Sequence, residues 1–180
     1  ADIHSLDLDI VHAGMDQRKI HMLVREIFPK MKWKVPLAVH HSLLPGLTQP
    51  KNDVVSEPGK MSKSDPNSGI FIHNSDDVIK KKISKGWCEE GEIENNPILE
   101  LARQIVFHEH NSISIERPEK FGGNVTYNSF EELESDFGQK KLHPGDLKNT
   151  VGEYMVNILA PIRDNISLSN ELYELIKNSN

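Results

Sequence analysis

The sequence carries a single cysteine, Cys88, among 180 residues, which excludes an internal disulfide and any zinc site built from cysteines. Aromatic residues are sparse at 6%, and no apolar run approaches the ~20 residues of a membrane-spanning helix. Mean hydropathy is −0.50. Positive charge is in deficit: 21 Lys and Arg against 27 Asp and Glu leave −6, with a pI near 5.8. That excludes a protein coating nucleic acid through bulk positive charge, but not one with a local basic face. The opening Ala-Asp-Ile-His has neither an initiator Met nor the basic-then-apolar pattern of a signal peptide. The expectation is a cytoplasmic fragment cut within a domain, with no membrane attachment. Its length admits one good domain or two small ones.

Leu6 to Val11 alternates apolar and acidic residues, which predicts a strand. Gly14 then marks a turn, and Asp16 can cap a helix carrying Ile20, Leu23, Val24, Ile27 and Phe28 at helical spacing, closed by Pro29. Val35 to His40 reads as a second strand, completing a βαβ crossover. Residues 44–69 hold Pro45, Gly46, Pro50, Pro58, Gly59, Pro66 and Gly69 without periodicity, a loop long enough to be functional. Beyond it the pattern turns helical. Ser75 is read as the cap of a helix over 76–85 that ends at Gly86, and Pro97 opens another with Leu99, Ala102, Ile105 and Val106 on one face. Ser129 starts a third, through Leu133 and Phe137. Short strands are predicted at 113–115 and 125–127. His143-Pro144-Gly145-Asp146 is read as the cap of a long helix with Leu147, Val151, Met155, Ile158 and Ile162 on one stripe and a candidate kink at Pro161; a last helix is predicted over 169–177. The fold class is α/β, with an α/β part over 1–74 and a mainly helical part over 75–180.

Chemistry concentrates in the loop. Lys60-Met61-Ser62-Lys63-Ser64 places two compact cations and two hydroxyls on a glycine-flanked segment, which suits a polyphosphate. Taken alone, the string also reads as a solvated loop. Gly14-Met15-Asp16-Gln17 sits at a strand-to-helix turn, where parallel sheets offer a nucleotide crevice. Here too a plain helix cap would explain Asp16. Lys80, Lys81, Lys82 and Lys85 form a cationic run that fits a solvated face as well as it fits phosphate contacts. By the same bland standard, Asp146 is a helix cap and Phe121 a core residue.

The five-residue string is similar to the KMSKS signature of class I aminoacyl-tRNA synthetases. The run Gly-Met-Asp-Gln-Arg-Lys-Ile-His-Met (14–22) resembles tyrosyl-tRNA synthetases of the archaeal and eukaryotic type. So do Arg117-Pro-Glu-Lys-Phe-Gly-Gly-Asn124, Asn128-Ser-Phe-Glu-Glu-Leu-Glu134 and His143-Pro-Gly-Asp-Leu-Lys-Asn149. With Asn95-Asn-Pro97, the resemblance spans residues 2 to about 166. It implies the C-terminal half of a Rossmann-like class I catalytic domain, followed by a mainly α-helical anticodon-binding domain.

The resemblance also implies roles. Asp2 and Gln17 would bind L-tyrosine, Asp2 at its phenol, so that a substrate lacking the hydroxyl leaves a buried acceptor unpaired. Gly14, Asp16, Lys60, Met61, Ser62, Lys63 and Ser64 would bind ATP with its Mg2+, and Lys60 and Lys63 would be catalytic, neutralising the leaving pyrophosphate. On the tRNA side, Phe121 and His143 would sandwich guanine 34 of the anticodon while Asp146 accepts from its N1 and N2. Pro118, Lys148 and the region of Cys88 would lie near the neighbouring bases. Gly145 stands where relatives carry a larger side chain. The implied partners are tRNA(Tyr), L-tyrosine and ATP, with a homodimer in the full-length protein.

No His-Ile-Gly-His string occurs, and His12-Ala-Gly-Met15 is not one. The expectation is therefore the C-terminal half of a tyrosine–tRNA ligase, inactive alone; the alternative is a non-catalytic tRNA anticodon-binding module. No protein-bound metal is expected, because His40-His41 and His108-Glu-His110 lack the i, i+4 spacing that sets two ligands on one helix face. Asn124-Val-Thr126 and Asn165-Ile-Ser167 match glycosylation sequons only by coincidence in a chain without a secretory signal.

Overall fold

The computed structural model describes residues 2–49, 59, 61–62 and 64–165. The chain divides into two compact units at Leu44/Pro45. The expected helix over 169–177 lies outside the described residues, as do Lys60 and Lys63.

The first unit is a small βαβ crossover. A short helix α1 (Asp2–Ser5) ends in a turn at Asp7, whose φ of 47° is left-handed. Strand β1 (Ile10–Gly14) follows, then a 3-10 turn at Met15–Gln17 and helix α2 (Arg18–Ile27). Strand β2 (Leu37–His41) returns parallel to β1, with Ile10 opposite Leu37 and Gly14 opposite His41. The first strand thus starts four residues later than the alternation at Leu6–Val11 predicts. The amides of Leu6, Asp7 and Leu8 donate instead to the carbonyls of Asp2, His4 and Ile3, closing α1, and the Lys34 ammonium lies 3.4 Å and 2.7 Å from the Asp7 and Asp9 carboxylates. Nor does Asp16 cap a helix. Gly14 stands at the N-cap of the 3-10 turn and Gln17 at that of α2, neither with a side-chain cap bond. Little is buried here beyond Val11 and Phe28; His4 and Trp33 stack on each other with ring centroids 3.8 Å apart, and both meet the Phe28 ring edge-on.

The second unit has a continuous core. Helix α3 (Asp76–Lys85) buries Ile79 and Ile83 against helix α7 (Pro144–Asn165), which contributes Leu147, Val151 and Met155 at four-residue spacing. Helix α4 (Pro97–Leu101) starts on a proline at N1 and is capped by the fully buried Asn96, whose Oδ1 accepts from the amides of Ile98 and Leu99. It runs on through a π-helical turn at Ala102–Val106 into helix α5 (Phe107–Glu109). Strands β3 (Ile113–Ile115) and β4 (Val125–Tyr127) pair antiparallel. Helix α6 (Phe130–Gly138) is capped by the Ser129 hydroxyl and buries Leu133 and Phe137. Across α3 and α7, Lys80 reaches Glu153 at 2.6 Å and Arg163 reaches Asp76 at 2.8 Å.

Candidate functional site

In the first unit, Gly14 closes β1 and the chain turns sharply into α2. A Cβ at Gly14 would come within 2.6 Å of both the Asp16 carboxylate and a Leu43 methyl, so that even alanine would push those side chains aside. Asp16 is half-buried, and Gln17 reaches it through a long 3.4 Å hydrogen bond. Together Gly14, Asp16 and Gln17 form one polar lip at the carboxyl end of a parallel strand, where such sheets take their ligands. Asp2 is exposed on α1.

Two imidazole pairs flank the strands. His12 on β1 shares a 3.0 Å hydrogen bond with His41 on β2, and His21 on α2 shares one with His40. Each contact needs one nitrogen with hydrogen and one without, so a doubly protonated pair breaks it. Burial holds the His40 ring below its ordinary pKa, and the nearby His21, Arg18, His12 and His41 add to the effect. Among the described residues no group of three His, Cys, Asp or Glu is placed to hold a metal ion.

The lysine loop is partly described. Ser62 and Asp65 form an isolated bridge. The Ser62 amide donates to the Ser68 hydroxyl at 3.1 Å, and that hydroxyl donates to the Asp65 carbonyl at 2.7 Å. Ser64 in turn donates through its amide to the Ser62 hydroxyl. Met61 packs close to Gly69, where a Cβ would lie 3.3 Å from that of Met61. The Ser68 carbonyl accepts from the amide of Leu47, fixing this turn to the second unit. Met61, Ser62 and Ser64 therefore belong to a closed, hydrogen-bonded turn.

The second unit brings together what the sequence disperses. Phe121, His143 and Asp146 line one cavity of about 370 Å³, with Glu90, Arg117, Lys140 and Lys141. Phe121 is 61% exposed, which rejects the core reading; it ends a 3-10 turn at Glu119–Phe121 and carries Lys120 over its ring at 4.8 Å. Gly122 and Gly123 follow with φ of 99° and 70°, a left-handed pair that glycine adopts without strain and that reverses the chain beside the ring. At the start of α7, His143 Nδ1 accepts from the Gly145 amide at 3.0 Å. The cap of α7 is thus His143, not Asp146, and its Nε2 carries the hydrogen in the neutral ring. A Cβ on Gly145 would sit 3.0 Å from that same Nδ1, so a larger residue there would displace the imidazole. Asp146 lies in the first helical turn, half-buried, where the positive end of the helix dipole favours its charge.

Cys88 follows α3, and Lys148 reaches α3 from the first turns of α7. The Lys148 ammonium donates to the Ser84 carbonyl at 3.2 Å. Cys88 is half-buried and accepts from Asn96 Nδ2 at 3.5 Å. Burial pushes its thiol pKa up, against weaker downward pulls from Asn96 and Lys148. Pro118 precedes the 3-10 turn that carries Phe121, and its carbonyl accepts from the Phe121 amide at 2.9 Å.

Sequence reasoning passed over Arg117 as an individual residue, and also Glu90, Lys140 and Lys141. Arg117 Nε donates to the Gly123 carbonyl at 2.6 Å and its Nη1 to the Lys141 carbonyl at 3.0 Å. It thereby clamps the loop bearing Phe121 to the chain entering His143. An arginine opening a block that ends in Gly-Gly-Asn was the available signal, but its second partner lies 24 residues away.

Comparison with known proteins follows the same lines. Residues 1–160 match the family model of class I tRNA synthetases for tryptophan and tyrosine (W and Y). Among curated relatives, the tyrosine–tRNA ligase of Thermococcus sibiricus is 45% identical over 196 aligned positions, covering 98% of this chain and 52% of the relative. That of Pyrococcus abyssi is 44% identical with the same coverage. The tyrosyl-tRNA synthetase of Pyrococcus horikoshii, solved with L-tyrosine, superposes with a TM-score of 0.87 at 42% identity, covering 98% of this chain and 53% of that one. A tryptophanyl-tRNA synthetase from Giardia lamblia shares the fold alone, with a TM-score of 0.57 at 22% identity over 92% of this chain and 37% of that one. The chain spans about half the length of the curated relatives it matches.

Proposed function

The chain belongs to the class I tRNA synthetases of the tryptophan and tyrosine group, and from that premise we propose that it is the KMSKS-bearing and anticodon-reading portion of a tyrosine–tRNA ligase. The observation that carries this reading is the convergence of Phe121, His143 and Asp146 on one cavity. An exposed ring, an imidazole and a carboxylate are what a single-stranded guanine requires: two faces to stack on and an acceptor for its Watson–Crick edge. Arg117, Lys140 and Lys141 also line the cavity, beside Glu90 and with Lys141 paired to Asp136, and these cations suit the phosphates on either side of such a base.

In the parent reaction the tyrosine carboxylate attacks the α-phosphate of ATP, giving tyrosyl-adenylate and pyrophosphate, and the tyrosyl group passes to the 3′-terminal adenosine of tRNA(Tyr). No protein nucleophile is needed, so the enzyme contributes by positioning and charge stabilisation. Gly14 and Asp16 would face the ribose, Gln17 the amino-acid end of tyrosine and Asp2 its phenol. Lys60, Lys63 and the serine turn around Ser62 and Ser64 would hold the phosphates with Mg2+. On this reading residues 1–74 serve catalysis and 75–180 read the tRNA, in a cytoplasmic homodimer. Because these 180 residues contain no His-Ile-Gly-His string, the chain alone is expected to show no tyrosine-dependent pyrophosphate exchange above blank.

A free-standing anticodon-binding module is the second reading, favoured by the continuous core among the described residues of the second unit. It gives Gly14–Gln17 and the lysine loop no task. The test is titration of the chain with tRNA(Tyr) and with the same tRNA changed at position 34, at one salt concentration. A penalty of about 1–3 kcal/mol for the wrong base supports the anticodon role; equal affinity for both would remove it.

A further inference from the structure

The second unit has a larger concavity, of about 720 Å³, that the anticodon reading leaves unused. Its walls are Leu47, Thr48 and Gln49 with Asn67 on one side, and Val78, Lys81, Lys82, Lys85, Gly86 and Trp87 on the other. Val78, Lys81, Lys82 and Lys85 stand at i, i+3, i+4 and i+7 and so share one face of α3. The opposite face holds the buried Ile79 and Ile83.

The four lysines of α3 are not equivalent. Lys80 leaves the concavity and pairs with Glu153 at 2.6 Å. Lys82 is consumed internally: its ammonium donates to the Gly69 carbonyl at 2.8 Å and to Asn74 Oδ1 at 3.1 Å, and lies 4.7 Å from the Phe71 ring. Burial accordingly pulls its pKa down. Lys81 and Lys85 are both exposed and lie four residues apart, with no ion-pair partner among the described residues. Their Cα atoms are separated by roughly 6 Å along the helix axis. No described residue lining the concavity is acidic, in a chain whose net charge is −6. Trp87 adds a half-buried indole at the end of the row, and its backbone amide donates to the Leu47 carbonyl at 2.7 Å.

We propose that this concavity is a docking surface for the sugar–phosphate backbone of RNA, with Lys81 and Lys85 on consecutive phosphates and Trp87 against a sugar or base face. The chemistry is that of sequence-independent recognition, with cations tracking the backbone and an aromatic plane beside them. Its position suits an RNA whose anticodon enters the smaller cavity. Trp87 lines one space and Glu90 the other, and three residues of chain span at most about 11 Å. Cys88 lies on that short bridge, and Lys148 reaches toward it from α7, its ammonium on the Ser84 carbonyl. The identity of the RNA rests on the tRNA reading above, whereas the backbone chemistry does not.

The test therefore uses an RNA hairpin without a tyrosine anticodon, alongside tRNA(Tyr), with the full chain in the Trp33→Phe background so that Trp87 is the only indole. Affinity is measured against salt for this protein, for Lys81→Gln/Lys85→Gln, and for Arg25→Gln/Lys30→Gln as an equal charge change elsewhere. The expected result is that the hairpin quenches or shifts Trp87 emission. The α3 double variant should lower the log–log salt slope by roughly 1.4–1.8 for both RNAs, and the control variant should leave it unchanged. Discrimination at position 34 should be the same in all three proteins. If the hairpin does not bind, or if the two double variants lose the same slope, the docking surface is refuted whatever tRNA(Tyr) shows at position 34. Loss of position-34 discrimination alone would refute the anticodon reading and leave this one standing.

Discussion

The two units treat their apolar side chains in opposite ways. In the second, Ile79, Ile98, Leu133, Phe137, Leu147 and Val151 have no accessible surface at all. In the first, Leu6, Ile10 and Leu37 are 60–67% exposed, and Ile20, Leu23 and Met15 are more than half exposed. A parallel sheet is ordinarily covered on both faces, and two strands alone are marginal in water. The cavity lined by Phe121, His143 and Asp146 is therefore mounted on a closed core, whereas the polar lip at Gly14–Gln17 is mounted on a sheet whose apolar faces still ask for cover.

The largest expected effect breaks that contrast at its strong side. Phe137→Ala should cost the second unit about 3–5 kcal/mol in denaturant unfolding, as a fully buried ring leaves a cavity. A loss below 1 kcal/mol would mean the core is looser than its burial indicates. The next concerns pH. Tyr127 is buried and donates to Asp136 at 3.3 Å; burial first, then the Asp136 charge, pushes its pKa to about 12. Because the folded pKa exceeds the ordinary value near 10, this stabilisation is complete below pH 10 and lost between pH 10 and about 12. It amounts to about 2–3 kcal/mol, and Tyr127→Phe should flatten that part of the stability profile. Asn96→Ala should cost about 2 kcal/mol, since it removes the cap of α4 and the bond to the Glu92 carbonyl together.

In the first unit the expected effects are smaller. The lowered pKa of His40 gives a contribution present above the ordinary histidine range and lost on acidification through it. Tryptophan emission from Trp33, stacked on His4 in the same unit, should report that loss before far-ultraviolet circular dichroism detects melting of the second unit. Smallest of all, Leu23→Ala should change stability by no more than about 0.5 kcal/mol, because the side chain is already 52% exposed. A cost of 2 kcal/mol or more would show that the first unit hides a core in solution.

Local signals were legible in the sequence and long-range ones were not. Helix α3 falls at 76–85 between Ser75 and Gly86 as predicted, although the Ser75 side chain makes no cap hydrogen bond, and β3, β4 and α6 fall where strand formers and Ser129 place them. The alternation at Leu6–Val11 misled because the amides of Leu6, Asp7 and Leu8 donate back to the carbonyls of Asp2, His4 and Ile3, closing α1 where the strand was expected to start. The π-helical turn was invisible, since Leu99, Ala102 and Val106 also fit an ordinary helical stripe. Phe121, His143 and Asp146 were legible as candidates only through the family blocks; by composition alone the first reads as core and the last as a cap. Arg117 went unnoticed as a clamp because its meaning depends on the carbonyl of Lys141, which no local pattern reveals.

The most direct measurement is a double-mutant cycle between Asp146 and base 34, using the chain and Asp146→Asn with tRNA(Tyr) carrying guanine or inosine at that position. Inosine lacks only the N2 amine that the carboxylate would accept from, so the cycle isolates one contact. A coupling of about 1–3 kcal/mol is predicted. Additive losses, with coupling within about 0.3 kcal/mol of zero, would mean that Asp146 does not read the base and that the cavity formed by Phe121, His143 and Asp146 serves another ligand.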